Sequence, residues 1–228
     1  MRRHWPAAAS AVLMTALAAC NVSCAVLAWT AAQFGPKAKI AAVYEPPKGR
    51  KMLVFVDDME NPVSHPPVKI ELTRMINSLL AANKIARDVV PYERLADLIA
   101  ATPDFNELSV AEVGRKVGAD IVLYVRVDQF ALKDEAAMDL LWRGRLQTTV
   151  RMVDVVDGPL WPKDRLGGYQ VDKVDTRPKP DDSDTDAAEV TKILASKMAD
   201  KITKLFYEHK DPYEGAWSEE RSRSIWGD

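Results

Sequence analysis

Asp57, Asp58 and Glu60 place three carboxylates within four residues, directly after the apolar run at residues 52–56. Paired acids at the carboxyl end of a buried strand are suited to hold a cation or a basic partner, and open α/β sheets bind ligands at that end. A second acidic pattern, Asp182, Asp184 and Asp186 with Ser183 and Thr185 between them, has the alternate spacing that begins a calcium loop. The pattern then fails: Ala187 stands where the turn needs glycine and Ile193 where the bidentate glutamate belongs. It reads as a solvated loop that caps the following helix. The three histidines, His4, His65 and His209, show no metal-ligand spacing. No Gly-x-Ser-x-Gly elbow, phosphate-binding loop or dinucleotide fingerprint occurs. The expectation is therefore a chain that is not an enzyme, with no catalytic residue, no metal and no cofactor, in which Asp57, Asp58 and Glu60 are a candidate binding loop, with a solvated loop as the plainer reading of such a run. The alternative is a hydrolase or ligand-binding enzyme centred on those acids, which predicts a concave pocket with a buried, raised-pKa carboxylate.

The two cysteines, Cys20 and Cys24, carry a different chemistry. Arg2 and Arg3 precede a stretch with no formal charge through residue 36. Within it, Leu17-Ala18-Ala19-Cys20 resembles the cleavage box of a bacterial lipoprotein signal peptide. That resemblance implies a diacylglycerol thioether on Cys20, cleavage before it, and acylation of the new amino terminus. Burial of acyl carbons is worth about 0.8 kcal/mol per CH2, and two or more chains make a stable anchor. Asn21-Val22-Ser23-Cys24 is a poorer box, which leaves Cys24 as the alternative lipidation site. Around residues 6–33 the same segment also suits an uncleaved membrane helix, which needs about 20 mostly apolar residues. On either reading Arg2 and Arg3 hold the amino terminus in the cytoplasm and the chain after Lys37 is exported. The expected location is the periplasmic side of a cell envelope, on the inner or outer membrane through lipidated Cys20. The alternative is a single-pass membrane protein with an exported C-terminal domain.

The chain has 228 residues and a formal charge of −2; losing residues 1–19 removes two arginines and no acid, which takes the charge to −4. A mildly acidic domain argues against nucleic acid or anionic lipid as the main partner. No cysteine follows Cys24, so the domain has no disulfide and must be held by its apolar core. Residues 1–19 read as the signal peptide and 20–51 as lipidated anchor and tether, with Pro36, Pro46, Pro47 and Gly49 in the latter. Residues 52–209 read as one α/β domain, and 210–228 as a flexible tail.

Residues 52–56 are a continuous apolar run, the pattern of a strand buried on both faces. Pro66 and Pro67 open a helix in which Val68, Leu72, Met75, Ile76, Leu79 and Leu80 recur at three- and four-residue spacing. Residues 85–90 form a short strand, and Pro91 starts a helix carrying Leu95, Leu98 and Ile99. Ser109 and Glu112 make a capping box, with Gly118 as the left-handed stop. Strands follow at residues 119–127 and within 141–156, and Asp157-Gly158 signals a hairpin whose return begins at Leu160 and Trp161. Trp142 and Trp161 flank it as packing residues. Residues 172–186 read as a polar loop with no core residue. A long helix capped by Asp186 and Glu189 then presents Val190, Ile193, Leu194, Met198, Ile202, Leu205 and Phe206 as one stripe. The expected class is α/β: a single mixed-sheet sandwich with helices packed on the sheet and a long C-terminal amphipathic helix, preceded by a signal or anchor segment.

The run from Met52-Leu53-Val54-Phe55-Val56-Asp57-Asp58 through the helix to Leu80, then Val89-Val90-Pro91-Tyr92-Glu93-Arg94-Leu95 and Gly118-Ala119-Asp120-Ile121-Val122-Leu123, resembles an exported lipoprotein superfamily. Its members include the curli-secretion pore lipoprotein, the penicillin-binding-protein activator lipoproteins and the amino-terminal domain of TolB. The hairpin from Val150 to Trp161 is similar to the superfamily's second hairpin, and the resemblance spans about residues 50–208. It implies a TolB-N-terminal-like α/β sandwich that works by protein contact and not by catalysis. Tyr124 departs from the glycine often found in that strand, and no spare hairpin after Met52 suggests a pore. The anchor and tether also resemble those of uncharacterised lipoproteins of planctomycete-type bacteria. The implied role is a binding or assembly accessory for a membrane or cell-wall protein, with an oligomeric envelope secretion or transport assembly as the alternative. The oligomeric state stays open.

Overall fold

The computed structural model describes residues 39–58, 63, 65–133, 141–165, 167–180 and 186–210. Cys20, Cys24, Arg2, Arg3, Glu60, residues 182–185 of the calcium-like pattern and the tail after 210 lie outside them. The chain divides into two compact units. The described part of one is a two-residue antiparallel ladder, β1 (Lys39–Ile40) with β9 (His209–Lys210). The other unit, Ala41–Glu208, holds a seven-stranded mixed sheet. Its strands are β2 (Lys51–Asp57), β3 (Asp88–Val89), β4 (Ile121–Lys133), β5 (Leu141–Asp154), β6 (Gly158–Trp161), β7 (Tyr169–Asp175) and β8 (Lys179–Pro180). The order is β3-β2-β4-β5-β6, and β7 and β8 also pair with β5. β2 runs parallel to β3 and β4, and every other pairing is antiparallel. The protein is thus a mixed α/β fold with helices packed on both faces of the sheet.

The continuous apolar run of β2 follows from that double cover. Met52, Val54 and Val56 join the larger core, against Leu72, Ile76 and Leu80 of α1 (Pro67–Ala82) and Leu194, Met198 and Ile202 of α4 (Ala187–Lys204). Leu53 and Phe55 point the other way, toward Leu95 of α2 (Tyr92–Ala101) and Val113 and Val117 of α3 (Val110–Val117). The Ser109–Glu112 capping box forms in both directions, and Gly118 takes the left-handed conformation at φ 73°. Among the described residues no helix is long and apolar enough to cross a membrane.

Three features refine the sequence expectation. Residues 172–175, expected in a polar loop, belong to β7, where Val171 and Val174 are buried. Those two valines are three residues apart, which breaks strand alternation. The register explains it: Leu146 faces Val174 and Thr148 faces Val171, so β7 carries one extra residue and the bulge turns both valines inward. Second, residues 41–50, read as the end of the tether, lie against the domain. Val43 and Tyr44 donate their N–H groups to the Leu205 carbonyl at 2.8 and 3.0 Å, and Tyr44 stacks on Trp161. Trp161 is a packing residue, also in contact with Tyr169 and Phe206. Third, α1 ends in a Schellman pair: Ile85 N–H donates to Leu80 O and Lys84 N–H to Ala81 O.

Lys84 sits at the left-handed position of that motif, with φ 55°. Glycine is the residue favoured there, because a Cβ costs roughly 1 kcal/mol in this region. Lys84→Gly is expected to raise the unfolding free energy by about 0.5–1 kcal/mol, read as a higher urea midpoint.

Two local arrangements hold the sheet's layers. Gly144 of β5 lies so close to α4 that a Cβ on it would meet Val190 Cγ1 at 2.5 Å and Leu194 Cδ1 at 2.8 Å. At the far end of β5, buried Asp154 accepts from the N–H groups of Val156 and Asp157 and from Arg50 Nη2, at 2.8, 3.1 and 2.7 Å. On the outer edge of β7, Lys197 Nζ donates to the Asp175 carbonyl at 2.8 Å, and Lys201 Nζ reaches those of Asp172 and Lys173 at 3.4 Å.

Candidate binding cleft

The helices α2 and α3 cover one face of β2 and β4 only in part. Where they stop, alternation along the strands brings Phe55 and Asp57 of β2, Tyr124 of β4, and Arg151 and Val153 of β5 onto one surface. The register sets them side by side, with Phe55 beside Tyr124 and Tyr124 opposite Arg151. Phe105 and Leu108 from the short 3-10 turn Phe105–Glu107 and its end, Val110 from the start of α3, and Pro159 of β6 complete a cleft of about 460 Å³. Phe55 fixes the aromatic wall, edge-on to Phe105 at 5.9 Å and to Tyr124 at 5.6 Å between ring centroids.

The polar groups sit at the floor. Tyr124 donates its phenol proton to Asp57 Oδ2 at 2.5 Å. The Arg151 guanidinium lies 4.4 Å from the centroid of the Tyr124 ring, a cation–π contact. Burial, and then the hydrogen bond to Asp57, push the Tyr124 phenol well above its usual range, and Arg151 opposes this only in part. The phenol therefore stays protonated at neutral pH and serves as a fixed donor. Alkaline titration followed by tyrosinate absorbance is expected to lose one phenol from its most alkaline portion in a Tyr124→Phe variant. An unchanged curve above pH 11 would contradict the assignment.

Two neighbouring polar groups are self-satisfied. Ser109 Oγ takes the Glu112 N–H and the Glu112 carboxylate takes the Ser109 N–H, which closes the α3 terminus. Further along the sheet, Arg126 Nε bonds Asp128 Oδ1 at 2.9 Å, and Thr149 Oγ1 donates to Asp128 Oδ2 at 2.6 Å.

Of the three acids expected to act together, Glu60 lies outside the described residues, and Asp57 and Asp58 turn to different partners. Asp57 turns into the cleft toward Tyr124. Asp58, the next residue, turns to the opposite face and accepts from Lys69 Nζ at 2.6 Å and Val63 N–H at 3.1 Å. Burial alone would raise the Asp58 carboxyl, but Lys69 and the Val63 N–H outweigh it and the net direction is down. Asp57 is the single carboxylate among the described cleft residues. Among the described residues no group of three or more His, Cys, Asp or Glu is placed to hold a metal ion. One carboxylate, a phenol that keeps its proton and a guanidinium can bind and orient a ligand.

Tyr124 and Arg151 were not singled out as site residues from the sequence. The usable signal was the polar side chain inside an otherwise apolar strand, together with a partner register that only the folded sheet supplies.

No family model matches the sequence, and no curated protein does. Solved structures do show similarity. The PelC dodecamer from Paraburkholderia phytofirmans is similar over 76% of this chain and 99% of that chain, at 17% identity and a TM-score of 0.39. Lipoprotein GNA1162 from Neisseria meningitidis is similar over 68% of this chain and 96% of that one, at 12% identity and a TM-score of 0.35. A minor lipoprotein from Acinetobacter baumannii is similar over 73% and 100%, at 13% identity and a TM-score of 0.31. At these scores the functional reading rests on the cleft's own residues.

Proposed function

We propose that this chain is a non-catalytic accessory of a bacterial envelope, held at a membrane through acyl chains on Cys20, that presents the Phe55–Tyr124–Arg151 cleft to a membrane or cell-wall protein. The cleft carries the reading. Its walls, Phe55, Phe105, Leu108, Val110, Val153 and Pro159, are apolar, and its floor bears a guanidinium held flat by Tyr124. Such a surface suits an apolar side chain with a carboxylate beside it, the arrangement by which a protein partner is gripped at a central anchor. Tethering raises the local concentration of the domain at the membrane and offsets a weak intrinsic interface.

A photo-crosslinking side chain at Leu108 tests this, with a second at Lys192 on the outward side of α4. The expected result is a discrete adduct with one envelope protein from position 108, lost when Arg151→Gln is added and absent from position 192. Equal adducts from both positions would overturn it, as would substrate turnover by the purified chain that Asp57→Asn abolishes. The anchor has its own test in the intact mass of membrane-extracted protein beside a Cys20→Ala variant. Loss of residues 1–19 with a gain of acyl chains, abolished by the substitution, is expected. An unprocessed mass in both would mean a membrane helix.

A further inference from the structure

A second concavity, of about 440 Å³, opens between the turn at Lys48 and Gly49 and the C-terminal end of α1. Its surface is made by Ala81, Ile85, Ala86 and Val89, and three exposed cations surround it: Lys48, Lys84 and Arg87. The one carboxylate in the lining, Asp88, is paired with Lys51 Nζ at 3.6 Å. The neighbouring Arg50 is bound to Asp154. The side chains of Lys48, Lys84 and Arg87 have no ion pair or hydrogen bond among the described residues. Three unpaired cations thus gather at one hollow on a chain whose formal charge is −2. Lys84 also holds its ammonium there from a left-handed backbone that favours glycine.

We infer that this hollow is a docking surface for the phosphate headgroups of anionic lipids, seating the domain on the membrane that carries its anchor. The inference rests on the lipid-anchor reading above. The domain's mildly acidic balance is a property of the whole surface; headgroups are read locally, within a Debye length of about 8 Å at physiological ionic strength. The position within the fold supports a membrane over any soluble anion. The hollow lies beside Lys48 and Gly49, just after the segment at residues 41–47 through which the anchor side of the chain enters the domain. A domain so tethered meets headgroups without a further search. Each cation near an anionic surface contributes about a fivefold gain in partition. Three together turn a freely pivoting domain into one with a preferred face down.

The experiment uses the full chain reconstituted in lipid nanodiscs of phosphatidylcholine, with or without phosphatidylglycerol, and reads lysine acetylation rates residue by residue by mass spectrometry. Lys48 and Lys84 are expected to react several-fold more slowly on phosphatidylglycerol discs, with Lys192 unchanged and the protection removed by high salt. Combining Lys84→Gly with Arg87→Gln is expected to abolish the protection at Lys48. Because Lys84→Gly relieves the left-handed strain, that loss is not explained by unfolding. Equal rates on both discs, with the protein retained, overturn the inference alone. Equal protection by inorganic phosphate on phosphatidylcholine discs would assign the hollow to a soluble anion and overturn it too. Release of the protein from both discs would remove the anchor reading and this inference with it.

Discussion

Leu194→Ala is expected to lower the unfolding free energy by about 2–5 kcal/mol, the range for truncating a fully buried leucine whose site collapses only partly. Leu194 is 0% exposed and lies where α4 comes nearest the sheet, over Gly144. That spot has little freedom to adjust. A Cβ at Gly144 would come within 2.8 Å of Leu194 Cδ1 and 2.5 Å of Val190 Cγ1, so Gly144→Ala by itself is expected to cost about 1–3 kcal/mol through overpacking. The two effects have opposite signs in volume. In the double variant the new methyl enters space that Leu194 has left, and only the Val190 clash remains. The combined loss should therefore fall short of the sum of the single losses by more than about 0.5 kcal/mol, beyond the scatter of independent sites. Urea midpoints for the four chains measure this coupling. Strict additivity would show that α4 shifts bodily away from β5 and that the close approach is not a constraint.

The second large effect is expected at Asp154. Its carboxylate accepts from two backbone N–H groups and one guanidinium, and the side chain is only 5% exposed. Asp154→Ala leaves all three donors unmet, and a loss of about 2–3 kcal/mol at pH 7 is expected from the charged hydrogen bonds. The Arg50 side chain is 38% exposed, so most of that loss belongs to the backbone donors and little to the ion pair. The pH dependence follows from the direction of the shift. Burial pushes the carboxyl up, but the Val156 and Asp157 N–H groups and Arg50 outweigh it and hold it below the usual carboxylate range. The unfolded chain thus takes up its proton at higher pH than the folded one. The stabilisation is complete above the unfolded value near pH 4 and is lost as pH falls through the lower folded value. Asp58, shifted in the same direction by Lys69 and the Val63 N–H, adds to the decline. Stabilities of the natural chain and of Asp154→Ala, measured from pH 7 to pH 2.5, should converge in acid. Parallel curves would mean that Asp154 stabilises by packing and not by its charge.

Much of this fold is legible in the sequence because the signals are local. Ser109, Glu112 and Gly118 bound α3 through groups within one turn, and the continuous run at residues 52–56 announces a strand covered on both sides. The misread segments depend on a distant partner. Val171 and Val174 look out of phase until the bulge against Leu146 and Thr148 is known. Residues 41–50 have the proline and lysine content of a linker, yet Val43, Tyr44 and Trp161 hold them through contacts with residues more than 100 positions away. The binding cleft is the extreme case. Asp57 was visible as an acid after a strand, but its pairing with Tyr124 arises from a parallel crossover, and Arg151 joins from the antiparallel side. Charge behaves likewise: a net value of −2 conceals the hollow at Lys48, Lys84 and Arg87, whose members are adjacent only once α1 has ended in its left-handed turn.

α4 has a consequence beyond the core it fills. An outer strand presents backbone groups that invite a strand from another molecule, and such a contact repeats end to end without closing, which is how fibres begin. The ammonium groups of Lys197 and Lys201 occupy the carbonyls of Asp175, Asp172 and Lys173 along β7. The same helix that seals the interior with its leucine and methionine face therefore blunts the β7 edge with its lysine face.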